Sequence, residues 1–129
     1  QLAQTLYSND IKLVNLQYGN ICDDIKSLVK EHGISLLQTE GLDTKNDLDG
    51  LASLIWACDL VVTIDNTTVH LAGALGKDCK LLLPFSHDWR WGKNRVISYW
   101  HSSVSSIIQR KAGDWKTVLQ KLAEIKVNI

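Results

Sequence analysis

The stretch "DLVVTIDNTTVHLAGALGKDCKLLLP", residues 59–84, decides the fold. It holds two short apolar runs, residues 59–64 and 79–84, on either side of a segment rich in small and apolar residues. Runs that are apolar on both faces are typical of strands in a parallel sheet covered by helices. The segment between them, residues 68–76, predicts a helix that ends at Gly76. Residues 59–84 therefore predict one strand–helix–strand unit.

The same alternation continues outward from this unit. Further strands are predicted over residues 11–17, 34–38 and 103–109, and further helices over residues 22–33, 48–57 and 114–126. Strands that alternate with helices indicate an α/β fold, here a Rossmann-like, doubly wound parallel sheet with helices on both faces. We expect the 129 residues to form a single domain, 1–129. The chain contains no Met, so we also expect it to be a fragment of a longer protein.

Composition narrows the class of protein. Apolar residues make up 45% and charged residues 22%, as in globular proteins. The formal net charge is zero, so no overall field favours nucleic acid, and no apolar run is long enough to span a membrane. The three cysteines form no CxxC motif and no cluster of acids has ligand spacing, so neither a cofactor nor a metal is expected. Cysteines in apolar segments fit a reducing cytosol, and we predict a cytoplasmic protein.

The junction between the predicted strand and helix, "DNTTVH", is the main candidate site. It lies at the carboxyl end of a parallel strand, where open α/β sheets bind ligands. With Asn66 or Thr67 as N-cap, the amides of the first helical turn would face an anion. Asp65 is expected to fix the turn rather than to contact the anion. The alternative is an ordinary helix cap with no ligand. The predicted anion-binding residues are Asp65, Asn66, Thr67, Thr68, Val69 and His70.

Two further positions are predicted at the same rim. "FSHDWRWGKN", residues 85–94, follows the strand that ends near Pro84, and it offers Trp89 for stacking and Arg90 for charge neutralisation. His87 and Asp88 are adjacent in this loop, which is weak evidence for an acid–base pair. Gln17 closes the first predicted strand and is the third candidate.

The stretches "DLVVTIDNTTVHLAGALGK" and "LLLPFSHDWRWG" together resemble the carboxyl-terminal half of glycosyltransferases of the GT-B type. The similarity is greatest to bacterial TPR-repeat glycosyltransferases and extends to the heptosyltransferases and, more distantly, to the O-GlcNAc transferases. "NLQYG" and "GDWKTVLQKL" resemble segments that begin and close the same domain. The sequence departs from the family pattern at Asn66 and Asp78, where Thr or Ser and Pro are usual.

The resemblance implies a domain that binds the diphosphate of a nucleotide-sugar donor through Gln17 and residues 65–70. A complete enzyme would transfer the sugar to an acceptor without a metal, and it would need an amino-terminal domain and possibly TPR repeats. The catalytic residues are unknown, and the isolated chain is expected to be inactive. The alternatives are a non-catalytic nucleotide- or phosphate-binding module and, less favoured, a receiver-like signalling domain. The receiver-like domain is less favoured because such a domain would have an acidic pair near the end of its first strand, and the first predicted strand here ends in "NLQYGN".

Overall fold

The computed structural model describes residues 1–8, 10–93 and 95–125. Contacts between Cα atoms divide the chain into two compact units, Gln1–Leu54 and Ile55–Ile129. The expectation of one domain spanning residues 1–129 stays a prediction.

Five helices and three strands are described. The helices are α1 Leu2–Leu6, α2 Cys22–His32, α3 Leu48–Ala57, α4 Thr67–Ala74 and α5 Trp115–Glu124. The strands are β1 Val61–Thr63, β2 Cys79–Leu83 and β3 Val104–Ile108. A short 3₁₀ turn covers Trp89–Trp91. The predictions for α2, α3, α4, α5 and all three strands are confirmed to within a few residues, whereas α1 was not predicted. The last residue of the final predicted helix, Lys126, lies outside the described residues.

The second unit contains a three-stranded parallel sheet with the order β1-β2-β3. Val61 pairs with Cys79, and Cys79 pairs in turn with Val104 on the other side. The central strand β2 is buried along most of its length, as the apolar run on both faces predicted. Helix α4 packs on the sheet through Val69 and Ala72, both fully buried. Helix α5 packs against β3 and buries Val118 and Leu122.

The first unit has less regular structure than predicted. Residues 11–17 and 34–38 were predicted as strands, but they form one isolated parallel bridge between Val14 and Leu37. Two backbone hydrogen bonds hold it, from Asn15 N–H to the Leu37 carbonyl and from Leu37 N–H to the Leu13 carbonyl. Leu37 remains 54% exposed. The prediction of full strands here is wrong, because an apolar run becomes a strand only when partners pair along its length.

Local chemistry explains where the helices begin and end. Helix α2 has Asp23 and Asp24 in its first turn and Lys30 in its last, which suits the helix dipole. It ends at Gly33 with φ +67°, a left-handed conformation that favours glycine. Helix α5 is capped by the Asp114 carboxylate, which accepts a hydrogen bond from the Thr117 N–H at 3.1 Å.

The α/β class and the parallel sheet are confirmed. The sheet has three strands, so the finer prediction of a Rossmann-like, doubly wound sheet with helices on both faces stays a prediction.

Candidate functional site

The three parallel strands end at one edge of the sheet. Asp65 follows β1 by two residues, Pro84 follows β2, and Gln109 follows β3. The Gln109 N–H donates to the Leu83 carbonyl at 3.0 Å, which aligns the ends of β2 and β3. This carboxyl edge is where open α/β sheets place ligands.

Asn66 is the N-cap of α4, which settles the choice between Asn66 and Thr67. Its backbone is extended, with φ −156° and ψ −174°, and its side-chain Oδ1 accepts a hydrogen bond from the Thr68 N–H at 2.9 Å. The Thr63 hydroxyl lies 3.1 Å from the same oxygen and donates to it. Because Oδ1 already accepts two hydrogen bonds, the Asn66 side chain holds the helix start in place.

The capping leaves one exposed amide of the first turn for a ligand. Thr68 N–H is taken by the cap, and the helix bounds place the amide of His70 in the helix ladder. Val69 is fully buried, so its N–H does not meet a ligand from solvent. The N–H group of the exposed Thr67 remains as a donor at the positive end of the helix dipole, and no acidic residue lies in the first turn of α4 to neutralise that end.

The predicted side chains of this turn divide between surface and core. Thr67 is exposed, whereas Thr68 is 7% exposed and Val69 is fully buried. Val69 belongs to the core, so neither its side chain nor its backbone N–H faces a site open to solvent. Asp65 is partly buried beside the cap.

His70 lies in an aromatic cluster with Trp91 and His101. Its imidazole stacks on the Trp91 ring at a centroid distance of 5.3 Å, and His101 meets it edge-on at 5.8 Å. Burial, and secondarily the neighbouring His70, lower the pKa of His101 below its usual value. A Cβ on Gly73 would overlap the His101 ring. The missing side chain of Gly73 therefore makes room for His101 against α4.

Two buried side-chain nitrogens of the second unit have no hydrogen-bond partner among the described residues. One is the indole N–H of Trp91, whose side chain is fully buried beneath His70. The other is the Nε2 group of Gln109, a residue only 4% exposed. The Oε1 atom of Gln109 accepts hydrogen bonds from Phe85 N–H at 3.1 Å and Gly113 N–H at 3.3 Å, which fixes the direction of the carboxamide.

Gln109 and His101 were missed by the sequence analysis. Gln109 follows a predicted strand just as Gln17 does, so the same signal was available for it. His101 could not be found from sequence, because only the packing of residues 95–103 brings its ring to α4.

The loop after β2 carries the two predicted rim residues, Trp89 and Arg90, and both are exposed. Trp89 is 81% exposed, while Trp91 is fully buried. The Arg90 guanidinium pairs with the Asp88 carboxylate at 3.1 Å, so its charge is already partly neutralised. The Arg90 N–H and, secondarily, its guanidinium hold the pKa of Asp88 below its usual value.

His87 fastens this loop rather than pairing with Asp88. Its two ring nitrogens each lie 3.0 Å from a carbonyl oxygen, those of Pro84 and Gly92. Carbonyl oxygens accept hydrogen bonds only, so a ring nitrogen that carries a proton donates to the carbonyl beside it, and the ring bridges the two ends of the loop.

Gln17 lies in the first unit. Its N–H donates to Asn15 Oδ1 at 3.0 Å, and its carbonyl accepts a hydrogen bond from the Thr44 hydroxyl at 3.1 Å. Asn15, Gln17 and Thr44 line a cavity of about 220 Å³ within that unit, together with Cys22 and Gln38. The part of Gln17 in the anion site stays a prediction.

The remaining chemistry of the described chain is limited. No group of three or more His, Cys, Asp or Glu side chains is close enough to hold a metal in residues 1–8, 10–93 and 95–125. Burial raises the pKa of the Cys79 thiol to about 12, which makes that thiol a poor nucleophile. Among the helices described, none has the length and apolarity to cross a membrane.

Comparison with known proteins gives one relative to report. The chain is 35% identical to Protein FlbA of Caulobacter vibrioides over 118 residues. The match covers 92% of this chain but only 20% of FlbA, so the chain spans about one fifth of that relative's length. No protein-family model matches the chain. No solved structure matches it significantly.

These findings correct the expectation drawn from the family resemblance. The relative found is not named as a glycosyltransferase, and no family model supports that assignment. The identification with GT-B glycosyltransferases, TPR-repeat enzymes and heptosyltransferases is therefore wrong, and so is the role in binding a nucleotide-sugar donor. The physical reason is that a capped helix after a buried strand is common to many α/β proteins, so the motif is less specific than it was taken to be.

Proposed function

We propose that this chain is a binding module for a phosphate-sized oxyanion, such as inorganic phosphate or a phosphomonoester. The anion is held at the carboxyl edge of the sheet by the free amide of Thr67 at the start of α4. The Thr67 hydroxyl is the nearest exposed side chain that can donate to the same oxygens. His70, at the end of the first turn, adds a further donor to this set.

The observation that carries the proposal is the free Thr67 N–H at the exposed start of α4. The Asn66 cap consumes the Thr68 amide, Thr67 is exposed, and no acidic residue lies in the first turn to neutralise the positive end of the helix. An oxyanion supplies acceptors and negative charge and therefore complements such a helix start.

The finer fold prediction supports the same location. In a doubly wound sheet the ligand lies where strand order reverses, at the carboxyl ends of the strands. We infer that the full sheet has this topology, with helices on both faces.

Replacing Thr67 by proline tests the proposal with little effect on the fold. Thr67 is the first helical residue, a position that accepts proline because its N–H has no partner within the helix. The preceding Asn66 is already extended, which is the conformation that proline demands of the residue before it. Thr67→Pro thus removes one amide donor while the helix remains. We expect phosphate affinity, measured by NMR or calorimetric titration, to fall about tenfold.

Thr67→Ala is the matched control, because it keeps the amide and removes only the hydroxyl. Its loss of affinity should be smaller than that of Thr67→Pro. Circular dichroism establishes that both variants remain folded. Absence of phosphate and sulfate binding at millimolar concentration, or equal binding by wild type and Thr67→Pro, would show that the helix start is an ordinary cap.

A further inference from the structure

The connection between β2 and β3 carries an exposed cluster of aromatic rings. Trp89, Tyr99 and Trp100 are 81%, 65% and 59% exposed. At about 200 Å² for each ring, they present roughly 400 Å² of largely apolar surface to water. A patch of that size lies within the range of the largest patch on a typical monomer, which is often functional.

Contacts show that these rings belong to one surface. The Trp100 indole N–H donates to the Arg90 carbonyl at 3.0 Å, which places Trp100 against the 3₁₀ turn that carries Trp89. The Tyr99 ring lies against Gly92, directly after that turn. The Arg95 guanidinium stacks over Tyr99, 3.9 Å from the ring centroid. We call this surface, formed by Trp89, Lys93, Arg95, Tyr99 and Trp100, the aromatic–basic patch.

The patch is held rigidly from beneath. The buried Trp91 anchors the turn in the core, and His87 links its ends through the Pro84 and Gly92 carbonyls. Asp88 caps the turn and pairs with Arg90. Trp89 is therefore presented by an anchored turn, and its indole hydrogen bond holds Trp100 against that turn, which lowers the entropic cost of binding.

The charge of the patch is positive. Lys93 and Arg95 are exposed, and among the described residues neither has a carboxylate within ion-pair distance. Asp88 is the single acidic residue in residues 84–103, and its carboxylate forms an ion pair with Arg90. The net charge of zero for the whole chain thus conceals a local positive surface.

We propose that the aromatic–basic patch docks on the surface of an anionic lipid bilayer. Trp and Tyr are the residues that favour the headgroup region, because each ring has an apolar body and a polar edge. Lys and Arg beside them attract anionic headgroups. Rings that project from a rigid turn can enter the interface without any membrane-spanning helix.

Vesicle co-sedimentation of the full chain tests the proposal. The probes are vesicles of phosphatidylcholine alone and of phosphatidylcholine with phosphatidylglycerol in equal parts. Each cation contributes about fivefold to binding, so we expect roughly twenty-five-fold stronger partitioning onto the anionic vesicles. Lys93→Gln with Arg95→Gln should abolish that preference, and raising the salt concentration should weaken binding to the anionic vesicles.

Trp89→Ala tests the aromatic part, because this side chain is the most exposed of the rings and its removal leaves the core intact. We expect partitioning onto both kinds of vesicle to fall at least fivefold. Trp56→Ala is the matched control, since Trp56 is 62% exposed but lies on α3 outside the patch. Thr67→Pro should bind vesicles as the wild type does, which separates the patch from the oxyanion site.

Absence of binding to either vesicle overturns the proposal, as does equal binding to both. An equal loss in Trp89→Ala and Trp56→Ala also contradicts it. Oligouridylate bound through Trp89 and Lys93, without vesicle binding, would assign the patch to single-stranded nucleic acid instead.

Discussion

At the scale of single residues, folding changes the environment of the His101 imidazole in a way that alters its protonation. It packs against Gly73 and meets the ring of His70 at 5.8 Å. Burial and the neighbouring imidazole both disfavour its charged form. The position of this ring therefore couples the stability of the α4 region to pH.

We predict that the chain loses stability as the pH falls below about 7. In the unfolded chain His101 binds a proton near its usual pKa of 6.5, whereas in the folded chain it binds one only at lower pH. Between those two pKa values the unfolded state holds more protons, so the free energy of unfolding decreases as the pH falls. Urea unfolding at about pH 7.5 and 5.5 measures the decrease, and it should be smaller in His101→Gln.

NMR titration of the imidazole rings checks the cause. The pKa of His101 should lie below 6.5 in the wild type and rise in His70→Gln, without reaching 6.5 because burial remains. A His101 that titrates at or above 6.5 in the folded chain would contradict this account.

At the scale of elements, the start of α4 depends on one side-chain oxygen. Asn66 Oδ1 accepts from Thr68 N–H and from the Thr63 hydroxyl, and so ties the helix to the end of β1. The same arrangement sets which amides are consumed by the fold and which remain for a ligand. Asn66 therefore affects both the stability of the α4 start and the binding of a ligand, and suitable substitutions can separate the two effects.

We predict that Asn66→Ala lowers the free energy of unfolding by about 1 kcal/mol, the usual cost of losing an N-cap. Asn66→Asp should retain stability, because a carboxylate oxygen caps equally well and suits the positive end of the helix. The same Asp should weaken phosphate binding by repulsion. Urea unfolding and phosphate titration of both variants give the test, and equal destabilisation by Ala and Asp would exclude capping through Oδ1.

At the scale of the whole molecule, the buried core is divided unevenly between the two units. Ile34 and Leu51 are the buried apolar residues of Gln1–Leu54, whereas the sheet and most of the described core lie in Ile55–Ile129. Helix α2 buries no residue at all. The two units should therefore differ in local stability.

We predict that amides of α2 exchange with solvent roughly a hundredfold faster than those of β2, after correction for intrinsic rates, because few buried contacts oppose local opening. Amide hydrogen exchange followed by NMR measures both in the same chain. The β2 amides of Leu81 and Leu83 serve as the internal reference. Equal protection of α2 and β2 would show that the chain opens as one cooperative unit.

Much of the fold could be predicted because local pattern and burial agree in residues 59–84. The runs apolar on both faces became β1 and β2, and the small-residue segment became α4. The same reasoning failed for residues 11–17 and 34–38, where a single bridge formed. An apolar pattern indicates that a segment is suited to burial. Whether the segment forms a strand depends on hydrogen-bonded partners that lie far away in the sequence.

The helix start that holds the candidate site was predictable, because a polar run follows a buried strand, whereas ligand binding there stays a prediction. Which amide remains exposed required the geometry of the Asn66 cap and the burial of Val69, and the position of Gln109 required the register of β3 against β2. The resemblance that pointed to sugar nucleotides was wrong, since a motif of strand, cap and small-residue helix serves folding in many α/β proteins.

The sequence by itself determined the α/β class, the parallel sheet of the second unit and the helix start at residues 65–70, because these follow from local periodicity and capping. Tertiary structure alone decided that Trp91 enters the core while Trp89 remains exposed, and that His101 fills the space left by Gly73. The reason is that periodicity and capping act over a few neighbouring residues. Which side chains meet, and which donors are left without partners, depends on packing between segments far apart in the chain.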